Sequence, residues 1–167
     1  MFPNSMNLTQ APGIEGRFAS LNPRHSAVSA AGGWTAGSGG VTVGRFAWGD
    51  LTSTDSVLVN TGSGVPTCFV ANEFGSALVT TYLAEYGMVI PVGFPVPGAY
   101  VSGDFWVKNA GSATSAVGNK VYAKTADGTI LFDATGQTHT GYVETKWIAA
   151  TIGAVGELVK ITSVVID

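Results

Sequence analysis

Short β-branched and aromatic runs, each closed by glycine, fix what this chain can fold into. Val41-Thr42-Val43-Gly44-Arg45-Phe46-Ala47-Trp48 alternates with period two, and Gly44 interrupts it where a bulge would sit. Gly49-Asp50 reads as the turn that follows. Ser56–Asn60, Thr67–Ala71, Phe105–Asn109, Val143–Ala150 and Glu157–Ile166 read as further strands. Lys120–Lys124 and Thr129–Phe132 flank Asp127-Gly128, a strong hairpin signal because glycine accepts the positive φ of a tight turn. Met88–Gly98 holds three prolines and is expected to be an edge strand or strap. Residues 73–86 mix helical spacing with a β-branched centre, Val79-Thr80-Thr81-Tyr82, and the strand reading is preferred. The expected fold is all-β: a compact antiparallel sandwich or barrel of short strands.

Residues 1–40 differ from the rest. Pro3, Pro12, Pro23 and the run from Ala30 to Gly40 hold neither a helix nor a central strand. Yet Phe2, Met6, Leu8, Ile14, Phe18, Leu21 and Trp34 are spread through them, which a solvated tail would lack. We read an extended irregular N-terminal arm over 1–40 that docks its apolar side chains, either on its own domain or on a neighbouring subunit. Residues 41–167 form a single β-rich domain.

Charge is scarce. Charged residues make up 11% of the 167, against roughly 25% in ordinary soluble domains, while hydrophobic residues reach 46%. A surface so poor in charge suits a chain covered by other protein. The net charge of −3 excludes a broadly cationic nucleic-acid binder. No apolar run approaches the ~18 residues of a membrane span. The first residues show no basic and apolar signal pattern, so a cytosol-like compartment is expected. Asn7-Leu8-Thr9 is then a chance glycosylation triplet.

The sequence offers no catalytic constellation. His25 and His139 lack partners at metal-ligand spacing, so no metal or cofactor is expected. Ser38, Ser63 and Ser76 lack the leading glycine of a nucleophile elbow. Gly37-Ser38-Gly39-Gly40 lacks the lysine and following helix of a phosphate loop. Cys68, the single cysteine, lies in an apolar strand and reads as a small buried hydrophobe. Asp127 and Asp133 flank one hairpin, with nothing to show that they face each other. No enzymatic activity is expected. Trp48, Trp106, Tyr122 and Trp147 sit in strand patterns and are expected in the core.

The run Leu83–Val96, Gly103–Asn109, Val117–Ala123 with Ala126-Asp127-Gly128, Gly16–Arg24, Val41–Trp48 and Gly156–Ile161 together resemble, in order, the tailed-bacteriophage capsid cement (decoration) proteins. Where the family pattern has charged residues this chain has Asn72 and Phe74, so that loop is expected to differ. The resemblance implies a non-enzymatic virion protein. It would bind the outer face of an icosahedral head between major capsid protein subunits and resist the pressure of packaged DNA. It also implies neighbouring cement subunits as partners, in a homodimer or homotrimer, with no nucleic acid and no membrane. The interface candidates are Phe2, Met6, Leu8, Ile14, Phe18 and Trp34 as apolar anchors. Arg17, Arg24 and Arg45 are candidates for pairing with carboxylates. Burial of the anchors alone falls short of the entropy of ordering the arm, so backbone pairing to a strand edge is expected to help. An alternative is a carbohydrate-binding β-module on a virion or cell surface, stacking sugars on Trp34, Trp106 or Trp147. A small β-barrel hydrolase is a further one.

Overall fold

The structure is a computed structural model that describes residues 13–30, 32–50, 56–73 and 87–163. The region 74–86, expected as a strand, lies outside the described residues. The described residues form thirteen strands: β1 (His25–Ser26), β2 (Thr35–Ala36), β3 (Val41–Thr42), β4 (Arg45–Asp50), β5 (Val57–Val59), β6 (Cys68–Val70), β7 (Val89–Ile90), β8 (Ala99–Ser102), β9 (Asp104–Lys108), β10 (Lys120–Lys124), β11 (Ile130–Asp133), β12 (Tyr142–Ala149) and β13 (Leu158–Thr162). They form a six-stranded sheet ordered β1-β8-β6-β4-β5-β2, a five-stranded sheet ordered β11-β10-β12-β13-β9, and a β3-β7 pair. The fold is therefore all-β and sandwich-like, not a closed barrel.

Two cores explain the layering. Between the large sheets, Phe46, Phe69 and Tyr100 meet Phe105, Val121, Trp147 and Ile161. On the other face of the six-stranded sheet, Trp34, Val41, Ala47, Leu58, Cys68, Val70 and Ile90 form a second cluster under the β3-β7 pair. The six-stranded sheet is thus buried on both faces. That is why β6 reads Cys-Phe-Val without a polar residue, a pattern usual where helices or sheets cover both sides. Cys68, sealed there, has its thiol pushed up to about 12 by burial and is inert.

Gly44 breaks the first strand as expected, with φ +79°. The break changes the pairing partner: β3 bonds β7, whereas β4 bonds β6 and β5. Buried Asn60 braces the corner by accepting the Thr42 N–H at 2.6 Å and donating to Phe46 O at 2.9 Å. The Gly49-Asp50 turn is not formed. β4 runs on, with Asp50 opposite Val57. Gly49 serves close packing instead, since a Cβ there would lie 2.6 Å from the Trp34 ring. The 120–133 hairpin is formed as expected, and Asp127 Oδ1 accepts the Thr129 N–H and hydroxyl inside its loop.

The segment after residue 12 adds a strand-like edge. Gly16 N donates to Trp106 O (2.7 Å), Trp106 N to Arg17 O (2.9 Å) and Ala19 N to Asp104 O (2.9 Å). These bonds cover the outer edge of β9, which would otherwise expose unpaired donors and acceptors. Phe18 drops its ring against Phe105 and Tyr100 at centroid distances of 5.3 and 5.6 Å.

Loop 134–141 straps the outer face of the five-stranded sheet over Tyr122. Tyr122 Oη lies 2.6 Å from Ala134 O and accepts the Gln137 N–H at 3.1 Å. Glu144 accepts the Gly136 N–H at 2.8 Å and the Thr135 hydroxyl at 3.0 Å. The Gly136 bond, helped by Thr135, Tyr122 and Lys120, holds the Glu144 carboxyl below its ordinary 4.5 despite partial burial. A depressed acid adds stability above its unfolded pKa and loses it as pH falls through the folded one. Glu144→Gln should therefore lower the denaturation midpoint at neutral pH. The gap from the parent should narrow as pH is lowered from neutral through the folded carboxyl's depressed value. A gap unchanged over that range would refute the strap's dependence on this carboxylate.

Candidate functional site

The structure separates the expected contact residues into groups. Phe2, Met6 and Leu8 lie outside the described residues. Ile14 is 59% exposed at the start of the described arm. Phe18 and Arg24 come together, the Arg24 guanidinium carbon lying 3.8 Å from the Phe18 ring centroid. Arg24 is exposed as a residue, while its guanidinium is held on the Phe18 ring and by a hydrogen bond with the Tyr100 hydroxyl. Arg17 is half-buried beside β9. Trp34 is buried within its own chain, where its indole N–H donates to Ala27 O at 3.0 Å.

Arg45 has a different setting. It lies 3.4 Å from Asp127 O and lines a cavity of about 240 Å³ with Glu15, Gly44, Lys108, Ala110, Thr129 and Ile130. Burial raises the Glu15 carboxyl above its ordinary 4.5, partly offset by Lys108 and Arg45. The two cations thus lie near the carboxyl of Glu15, in the segment that pairs with β9.

Asp104 is the central polar brace. It is buried, and its Oδ2 accepts the Ser20 hydroxyl at 2.5 Å and the Asn22 amide at 2.7 Å. These bonds grip both neighbours of Leu21, whose side chain is fully exposed at 105%. A rigid loop holding an apolar tip in solvent is suited to contact with another protein. Val28 is exposed nearby in sequence, and Val117, Ile152 and Val155 are exposed on loops of the five-stranded sheet. Sequence reading missed these residues. The available signal was the complete lack of charge in 109–119 and in 147–156.

The tryptophans of a sugar platform do not share a groove. Trp34 and Trp147 are buried in different cores, and Trp106 lies against Gly13 of the arm and 5.8 Å from Lys160 Nζ. His25 and His139 are likewise apart: His25 Nδ1 lies 2.6 Å from Ser102 Oγ, and His139 Nε2 lies 3.1 Å from Asp133 Oδ2. Among the described residues no group of three or more His, Cys, Asp or Glu side chains converges.

Buried polar side chains here brace loops, and exposed apolar ones sit on the loops so braced. That arrangement suits contact with other protein. Comparison with known families agrees: the model described as XM1 gp53 minor capsid protein matches residues 2–163. The chain belongs to that family and is a capsid-associated structural protein of a phage virion. Among solved structures, a chain from the capsid of Myoviridae phage XM1 has the same fold, with a TM-score of 0.59 and 16% identity over 97% of this chain and 96% of that one. None of the curated proteins matches.

Proposed function

We propose that this chain is a cement protein without enzymatic activity. It binds the outside of the icosahedral head between major capsid protein subunits and stabilises the head against internal DNA pressure. The observation that carries the reading is the family match across 2–163. The exposed tips and the scarcity of charge support it, because a chain whose surface is largely covered by neighbours needs few ions of its own. The mechanism is multivalent. One contact held in place raises the effective concentration of the next, so individually modest contacts lock neighbouring capsomers together. Arg24, exposed and stacked on Phe18, is suited to pair with a shell carboxylate, and Ile14 and Leu21 to fill apolar sockets.

Purified shells lacking the chain test this. Adding the protein should fill discrete outer positions in a reconstruction and raise the temperature at which heads release DNA. Absence of bound density, or bound density with no gain in head stability, overturns the reading. The role of the arm is tested by deleting residues 1–12, which removes Phe2, Met6 and Leu8 but leaves Phe18 in its own core. Retention on shells should fall at least about tenfold with the unfolding midpoint unchanged. Full retention removes those anchors from the mechanism.

A further inference from the structure

We propose that a pocket at the β11 edge of the five-stranded sheet binds one neutral sugar ring. β11 is the outermost strand of that sheet. A cavity of about 150 Å³ opens there, lined by loop 111–114, Asn119, the end of β11 and His139 of loop 134–141. Its walls are held in place by the chain itself. Asn109, fully buried, accepts the Gly111 N–H at 3.0 Å and donates to Ala113 O at 2.9 Å. Ala110 N donates to Ile130 O at 2.9 Å and moors the same loop to β11. On the other wall, Asp133 Oδ1 accepts the Ala134 N–H at 2.7 Å, and Asp133 Oδ2 lies 3.1 Å from His139 Nε2. Walls fixed in advance lower the ordering cost of binding.

The lining offers hydrogen bonds that the fold does not use. Ser112 and Thr114 are exposed and Asn119 partly so, and their side chains have no hydrogen-bond partner among the described residues. A hydroxyl donates one bond and accepts two, a side-chain amide does both, and the Asp133 carboxylate accepts. A sugar hydroxyl also donates and accepts at once, so a ring with neighbouring hydroxyls answers this mixed set. Leu131, half-buried in the same lining, supplies apolar surface for the C–H face of the ring.

Charge and size narrow the class. Asp133 is the only acid among the described residues that line the pocket, and no lysine or arginine lines it. Lys120, opposite Asp133 in the β10–β11 ladder, lies beside Glu144 and outside the lining. A phosphate or carboxylate ligand would therefore face a carboxylate with no fixed cation to hold it. A metal ion finds no convergent group of His, Cys, Asp or Glu among the described residues. Drug-sized ligands need about 300 Å³ or more, so this cavity admits one ring and leaves the rest of a longer glycan in solvent. Few contacts make one pocket weak, in the millimolar range. Many copies on a head would add such contacts through effective concentration, and that step alone rests on the cement reading.

Amide NMR of the purified full-length protein tests the inference away from any shell. The probes are methyl α-glucoside, methyl α-mannoside, methyl β-galactoside and N-acetylglucosamine, each raised through millimolar concentrations. At least one should shift the amides of Ser112, Asn119 and Asp133 to saturation. Asn119→Ala and Asp133→Asn should each weaken that binding at least about fivefold, with unfolding midpoints unchanged. N-acetylneuraminic acid, which carries a carboxylate, should bind at least about tenfold more weakly than the best neutral probe. No saturable shift with any of the four sugars, shifts centred on Trp106 instead, or an affinity unchanged in both variants overturns the inference. Equal affinity for the acidic sugar overturns it as well. Sugar binding by the free protein while shells take up none of it upholds the inference and overturns only the cement reading.

Discussion

Phe105→Ala should lower the free energy of unfolding by about 3–5 kcal/mol, a large share of the 5–15 kcal/mol that holds a typical domain. Phe105 is fully buried at the centre of an aromatic cluster. Its ring lies 4.8 Å from Phe69, 5.3 Å from Phe18, 5.5 Å from Tyr100 and 5.7 Å from Trp147, centroid to centroid. Those partners come from the six-stranded sheet, from the five-stranded sheet and from the arm. Truncation therefore opens a cavity at a point where all three meet, and rigid backbones on each side prevent collapse into it. Urea denaturation followed by tryptophan fluorescence reads the loss. A change below about 1.5 kcal/mol, the range of volume-conserving swaps, would mean that the cluster is not the keystone of the fold.

Gly128→Asn should be nearly as damaging as Gly128→Ala, at about 3–5 kcal/mol each. An isolated hairpin would not behave so. Asparagine tolerates the left-handed region, and φ at Gly128 is +71°, so local turn chemistry alone forecasts a mild effect for asparagine. In the folded chain a Cβ at this position would lie 2.1 Å from Phe46 O. That contact is with backbone and cannot be relieved by turning a side chain. The closeness has a purpose, because Phe46 N donates to Gly128 O at 3.0 Å and ties the hairpin to β4 of the opposite sheet. Thermal unfolding of the two variants separates the cases. An asparagine variant close to the parent in midpoint, with the alanine variant far below, would show that turn strain dominates and that the cross-sheet contact is soft.

Gly49 shows the limit of reading turns from sequence. Its pairing with Asp50 looks like a chain reversal, yet it lies inside β4 under the ring of Trp34. A glycine that bends the chain and a glycine that admits a neighbour are identical as letters. Trp34 shows the same limit for function. An aromatic in an irregular, glycine-rich stretch looks available for contact, whereas the fold places it in the second core with its N–H satisfied. Leu21 is the converse, an ordinary apolar residue that the grip of Asp104 on its neighbours leaves fully in solvent.

The order of residues by itself determined the strand runs, the 120–133 hairpin, the break at Gly44 and the aromatic stock of the core. Those rest on period-two alternation and turn chemistry, which act over a few neighbouring residues. Only the tertiary structure decided that 16–19 would cover β9, that the six-stranded sheet would be buried on both faces, and that the loops following β9 and β12 would meet at one sheet end. Each of these depends on a free edge, face or gap that does not exist until strands distant in sequence have paired.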